Sequence, residues 1–110
     1  MKKLLFICGK NRWRSPTAEA LFSKYEGLEV ESAGIDRDAD FPLSSDAIQN
    51  ADIVFVMEQS QRRKLSQKFG VWLKNKQVVC LDIPDRYRYM QPELIELLQQ
   101  KVLPLLGTFS

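Results

Sequence analysis

Short apolar runs alternate along this chain with stretches of helical periodicity. Lys3 to Ile7 reads as a strand and Pro16 to Tyr25 as a helix, together a βα unit. Ser15 before Pro16 suits an N-cap followed by proline at the first helical position, where a missing N–H costs nothing. Gly27 ends that helix. Leu28 to Ser32 is a second strand, and Ser32-Ala33-Gly34 opens a polar loop that runs through Pro42. Ser44 or Ser45 caps a short helix reaching Asn50, and the apolar run Asp52 to Met57 suits a buried parallel strand. Gln59 to Phe69 is helical and stopped by Gly70, Gln77 to Leu81 is a fourth strand, and Asp82 to Met90 is a loop. Pro92 to Leu105 carries apolar residues at helical spacing, with Pro104 fraying its end. This alternation predicts an α/β fold, a small doubly wound four-stranded parallel sheet with helices on both faces, which binds ligands beyond the carboxyl ends of its strands. Met57, Trp72, Leu73, Cys80 and the Leu94-Ile95-Leu97-Leu98 group fit core positions, and Arg62-Arg63-Lys64 fits a solvated helix face.

Composition narrows the class. With 110 residues, 45% of them hydrophobic, the chain suffices for one domain, residues 1–110, with a single core. Its apolar runs are far too short for a bilayer, and Met-Lys-Lys leads into only about five apolar residues, a strand rather than a signal peptide. Two cysteines make no disulfide framework, so both thiols are expected free in a reducing cytoplasm. The net charge of +2 gives no reason to expect a nucleic-acid or membrane partner. There is no histidine, which removes Ser-His-Asp and Cys-His catalysis and the imidazole metal sites. Any nucleophile must be activated in another way.

Cys8 supplies one. It stands at the end of the first strand, and the loop from Cys8 to Ser15 leads into a helix N-terminus, whose free N–H groups and dipole favour an anion. A thiolate held in that field, beside Arg14, needs no histidine. Arg14 offers a planar fork that matches two phosphate oxygens. A lone cysteine at a strand end is more often a small buried hydrophobe, and Cys-x5-Arg recurs by chance. The position on a strand-to-helix loop, followed by Ser-Pro, is what strengthens the pair.

The stretch CGKNRWRSPTAEALF resembles the phosphate-binding loop of the low-molecular-weight protein tyrosine phosphatases, Cys-x-Gly-Asn-x-Cys-Arg-Ser-Pro-x-Ala-Glu. Cys8, Asn11, Arg14, Ser15, Pro16, Ala18 and Glu19 match it, Ser32-Ala33-Gly34 resembles the family's Ser-Ala-Gly, and Asp52 to Met57 resembles its third strand. Asp82-Ile-Pro-Asp85-Arg-Tyr87 is similar to the family's acid loop, Asp-Ile-Pro-Asp-Pro-Tyr. The resemblance implies a metal-free, cofactor-free phosphomonoester hydrolase acting on a phosphotyrosine-containing protein or another aryl phosphate. By the same resemblance Cys8 takes the phosphoryl group, Gly9, Lys10, Asn11, Arg12, Trp13, Arg14 and Ser15 form the phosphate loop, and Asn11 holds its shape. Ser15 donates a hydrogen bond to the Cys8 sulfur and makes it a better leaving group. Asp85, with Asp82 as its competitor, is the general acid, and Tyr87 and Tyr89 flank the substrate cleft beside Arg12.

Several residues depart from the family pattern. Lys10 replaces a glycine, so a positive φ there would be strained unless Gly9 compensates. Trp13 replaces the second cysteine, removing the thiol that protects the nucleophile from irreversible oxidation. Arg12 suggests acidic neighbours of the phosphate, and Arg86 replaces a proline after the acid. The segment between Gly34 and Asp52 is short, which implies a reduced cleft wall. Three other readings compete: a non-catalytic module binding phosphoprotein or nucleotide, an arsenate reductase relying on Cys80, and a phosphocarrier that keeps its phosphoryl group.

Overall fold

The computed structural model describes residues 2–106. Four strands, β1 (Lys2–Cys8), β2 (Leu28–Gly34), β3 (Ile53–Val56) and β4 (Gln77–Cys80), form one sheet in the order β2-β1-β3-β4. Every pairing is parallel. Chain direction along the sheet reverses at β1, so the crevice beyond the carboxyl ends of β1 and β3 is the topological switch point of a doubly wound sheet. Cys8 is the last residue of β1, at the mouth of that crevice.

Alternation along β1 divides the core. Leu4, Phe6 and Cys8 face one side and pack with Phe22 of α1 (Arg14–Phe22) and Leu94, Leu98 and Val102 of α4 (Pro92–Leu106). Leu5 and Ile7 face the other, against Ile48 of α2 (Ser45–Asn50) and Leu65 of α3 (Gln59–Phe69). Two helices therefore cover each face, as the alternating pattern predicts. Phe6 is the centre of the first layer, stacked on Phe55 with ring centroids 4.7 Å apart and on Phe22 at 5.6 Å.

The differences from the sequence reading lie at element ends. Ser15 is not the cap of α1: the helix starts two residues earlier than expected, at Arg14, with Trp13 at the N-cap, and the Ser15 hydroxyl is engaged inside the loop after β1. The helix closes at Phe22, and turns carry the chain to Gly27 at φ +90, a conformation that favours glycine. Ser44 caps α2, its hydroxyl accepting from the Ala47 N–H at 3.3 Å. Gly70 ends α3 but opens a 3-10 turn through Leu73 that leaves Trp72 41% exposed, outside the core. Ile95 and Cys80 are only partly buried. Pro104 sits within α4 rather than fraying it, as the helix runs to Leu106. No helix among the described residues is long and apolar enough to cross a membrane.

Candidate active site

The loop after β1 is shaped by the segment after β2. Backbone N–H groups of Ile35, Asp36 and Asp40 donate to the carbonyls of Cys8, Gly9 and Lys10 at 2.9, 3.0 and 3.0 Å. In a trans peptide the carbonyl and the following N–H point in opposite directions. Tying those three carbonyls outward therefore turns the N–H groups of Gly9, Lys10 and Asn11 inward, a concave nest suited to an anion. The Asn11 N–H points at the Cys8 sulfur, 3.2 Å away. Gly34 permits this approach: a Cβ there would lie 2.3 Å from the Ala39 Cβ and 2.7 Å from the Gly9 carbonyl oxygen. The close seating of the two segments explains the glycine of Ser32-Ala33-Gly34. Ser32 of that motif donates to the Glu19 carboxylate and so ties β2 to α1.

The loop does not place its strained residue where the sequence suggested. Neither Lys10 nor Gly9 has a positive φ; Asn11 does, at 58°. Asparagine tolerates that region because its short polar side chain bonds locally, and here its Oδ1 accepts from the Ser15 hydroxyl at 2.8 Å. The same hydroxyl lies 2.9 Å from the Cys8 sulfur. Cys8, Asn11 and Ser15 are all buried, so this polar trio is a fixed floor under the loop.

Arg14 is also buried. Its Nη1 donates to the Ile83 carbonyl at 2.9 Å and lies 3.3 Å from Glu58 Oε1, while its Nε is 3.6 Å from Asp85 Oδ1. Glu58, the residue before α3, was missed by the sequence reading. Its signal is the Glu58-x-x-Gln61 capping box, in which each side chain satisfies the other's backbone N–H. The cap fixes the carboxylate that holds Arg14. The carbonyl of Ile83 anchors the loop after β4 to Arg14 in turn.

A cleft of about 260 Å³ opens over the loop. Cys8, Gly9, Lys10, Arg12, Trp13 and Arg14 line one side, and Glu58, Ser60, Gln61 and Lys64 of the α3 start line another, with Asp36 and Asp85 at its edges. Lys64 thus belongs to the cleft rather than to a merely solvated face. Asp85 reaches the cleft; Asp82 does not line it, and its carboxylate instead accepts from the Cys80 thiol at 3.3 Å. Tyr87 and Tyr89 do not line the cleft either. Tyr87 packs against the core layer of α1 and α4, and Tyr89 lies exposed in the loop before α4.

The basic rim is paired. Lys10 meets Asp38 and, at 3.6 Å, Asp36; Lys64 meets Asp36 at 3.3 Å; Arg12 faces Asp40 at 3.5 Å. The hydrogen bond from Lys10 holds the Asp38 carboxyl below its ordinary range, and Asp38 correspondingly raises Lys10. Arg12 thus lines the cleft and faces Asp40 across an exposed pair. Among the described residues no group of three or more metal-ligating side chains occurs.

Residues 3–41 match the family model of the low molecular weight phosphotyrosine protein phosphatases. A search of curated proteins found no significant match. Among solved structures, a YwlE mutant from Bacillus subtilis is 24% identical with a TM-score of 0.75, over 97% of this chain and 100% of that one. The tyrosine phosphatase Wzb from Escherichia coli K30, in complex with phosphate, is 22% identical with a TM-score of 0.75, over 94% and 95%. The low molecular weight protein tyrosine phosphatase SP-PTP from Streptococcus pyogenes is 17% identical with a TM-score of 0.80, over 100% and 95%. By the sequence of residues 3–41 and by its whole fold, the chain resembles the low-molecular-weight protein tyrosine phosphatases.

Proposed function

We infer that this chain is a phosphatase that hydrolyses phosphate monoesters through a phosphorylated Cys8. The observation that carries the reading is a cysteine sulfur met by the Asn11 N–H at 3.2 Å and the Ser15 hydroxyl at 2.9 Å, in a cleft that also holds Arg14 and Asp85. In the first step the Cys8 thiolate attacks phosphorus and the bond to the leaving oxygen breaks. Asp85 gives that oxygen its proton. Arg14 and the N–H nest hold the three equatorial oxygens, a preorganised set of donors for the charge of the transition state. Water then attacks phosphorus, the Asp85 carboxylate takes its proton, and the P–S bond breaks to return the thiolate. A hydrogen bond from Ser15 eases that departure.

Aryl phosphate, in a phosphotyrosine-containing protein, is the substrate class favoured by the family resemblance. A second reading has support as well: the YwlE protein of Geobacillus stearothermophilus is described as an arginine phosphatase, and three carboxylates line this cleft, Asp36 paired with Lys10 and Lys64, and Glu58 and Asp85 paired with Arg14. Arsenate reduction needs a thiol partner for Cys8, and the geometry weighs against Cys80. Two strand spacings separate β1 from β4, about 10 Å, and the two side chains face opposite layers of the core.

The test is turnover of p-nitrophenyl phosphate and of phosphoarginine in mildly acidic, chelator-treated buffer by the wild type, Cys8→Ser and Asp85→Asn. Turnover lost in Cys8→Ser and strongly slowed in Asp85→Asn supports the reading. A wild type as inert as Cys8→Ser on both substrates sinks it, and binding without turnover would favour a phosphate-binding module.

A further inference from the structure

We propose that Trp13 is the aromatic wall of the cleft, the surface against which the flat leaving group of the substrate lies. This rests on the reading of the cleft as a phosphomonoester site and assigns its specificity to a residue of the phosphate loop itself.

Four observations converge on the indole. Among the described residues that line the cleft, Trp13 is the one large apolar side chain; the others are charged, polar or small. It remains 48% exposed although it lines the cleft. Its backbone is held firmly, because the Trp13 carbonyl accepts from both the Thr17 N–H at 3.0 Å and the Thr17 hydroxyl at 2.6 Å, and Thr17 is buried. The neighbouring cations, Lys10 and Arg12, are engaged by Asp36, Asp38 and Asp40.

Position supplies the mechanism. Trp13 and Arg14 line the same cleft, so the ester substituent of a phosphate gripped by Arg14 and the loop amides comes within reach of the indole. A planar ring can stack there with little loss of conformational freedom, because both partners are rigid. An alkyl chain has no such face to present. Tyr87 and Tyr89, the aromatics expected for this task, lie off the cleft wall. The loop therefore binds both halves of an aryl phosphate, the anion with its amides and the ring with its N-cap side chain.

Binding of phenylphosphonate and methylphosphonate, which share the anion and differ in the ring, reads this without any turnover. Calorimetric titration of the wild type should show phenylphosphonate binding more tightly by about two- to tenfold, the equivalent of one aromatic pair. Trp13→Leu should bring the two affinities together, Trp13→Phe should keep the preference, and Tyr89→Ala should leave the ratio unaltered. In a Trp72→Phe chain, where Trp13 is the remaining tryptophan, phenylphosphonate should change the emission more than methylphosphonate does. Equal affinities in the wild type, or a ring preference that survives in Trp13→Leu, would overturn the assignment. A ring preference lost in Trp13→Leu, in a protein that turns over neither substrate, would uphold the aromatic wall and remove the phosphatase reading alone. If neither phosphonate binds, both fail.

Discussion

The Ser15 hydroxyl stands 2.9 Å from the Cys8 sulfur, both groups buried at the floor of the loop after β1. A hydroxyl carries one proton, and Asn11 Oδ1 competes for it at 2.8 Å. When the sulfur is ionised the proton turns to sulfur, and the Asn11 amide must offer its NH₂ to the serine oxygen instead. Hydrogen bonds to charged groups contribute about 1.5–3 kcal/mol, so Ser15→Ala should lower kcat about 10- to 100-fold. Breakdown of the phosphoenzyme should suffer most, visible as a burst of p-nitrophenol before a slow steady state. A kcat within twofold of wild type would remove Ser15 from the chemistry.

Glu58 holds Arg14 and caps α3 with the same carboxylate. Glu58→Gln keeps a carbonyl oxygen for both tasks and should leave the melting temperature nearly unchanged while raising KM several-fold. Glu58→Ala removes both and should also cost about 1 kcal/mol of stability, the usual value of a lost cap. Thermal melts beside steady-state kinetics separate the two roles. Equal KM values in wild type and both variants would show that Arg14 is held without Glu58.

Gly34 is where the segment after β2 meets the phosphate loop. A methyl group there would sit 2.7 Å from the Gly9 carbonyl oxygen, which is backbone and cannot swing aside. Gly34→Ala should destabilise by about 1–3 kcal/mol, as overpacking does, and weaken inorganic phosphate binding by displacing the loop. Denaturant unfolding with a phosphate titration reads both. A variant as stable as wild type would mean that the two segments separate easily.

Cys80 should be the sluggish thiol. Burial raises it above its ordinary value of 9.0, so the thiolate fraction at neutral pH falls below that of a free cysteine. In a Cys8→Ser chain, alkylation by iodoacetamide should be slow at pH 7 and accelerate only as the pH climbs past that value. Rapid labelling at pH 7 would contradict the raised Cys80 thiol.

Oxidation should expose the missing second cysteine of the loop. Trp13 stands at that position, and Cys80 lies two strands away on the opposite sheet face. Disulfides require Cα atoms within about 7 Å. Peroxide should therefore carry Cys8 past the sulfenic acid to species that dithiothreitol does not reverse. Mass spectrometry showing a Cys8–Cys80 disulfide would overturn this.

The alternation of apolar runs and helical stretches was enough to read four parallel strands, four helices and a layer on each face, because burial of a parallel sheet on both sides is a local requirement on each strand. The candidate residues Cys8, Asn11, Arg14 and Ser15 were legible for a similar reason: they fall within the single stretch 8–15 between a strand and a helix. What lay outside that stretch was decided by tertiary structure. Glu58 reaches Arg14 from the start of α3, Ile83 receives the guanidinium from the loop after β4, and Asp36 borders the cleft because its segment is bonded to the loop carbonyls. Tyr87 could equally have faced a substrate or the core, and packing with α1 and α4 chose the core. Sequence determined which side chains were available to the candidate site; only the parallel crossovers, which bring distant strand ends to one edge, determined which of them meet.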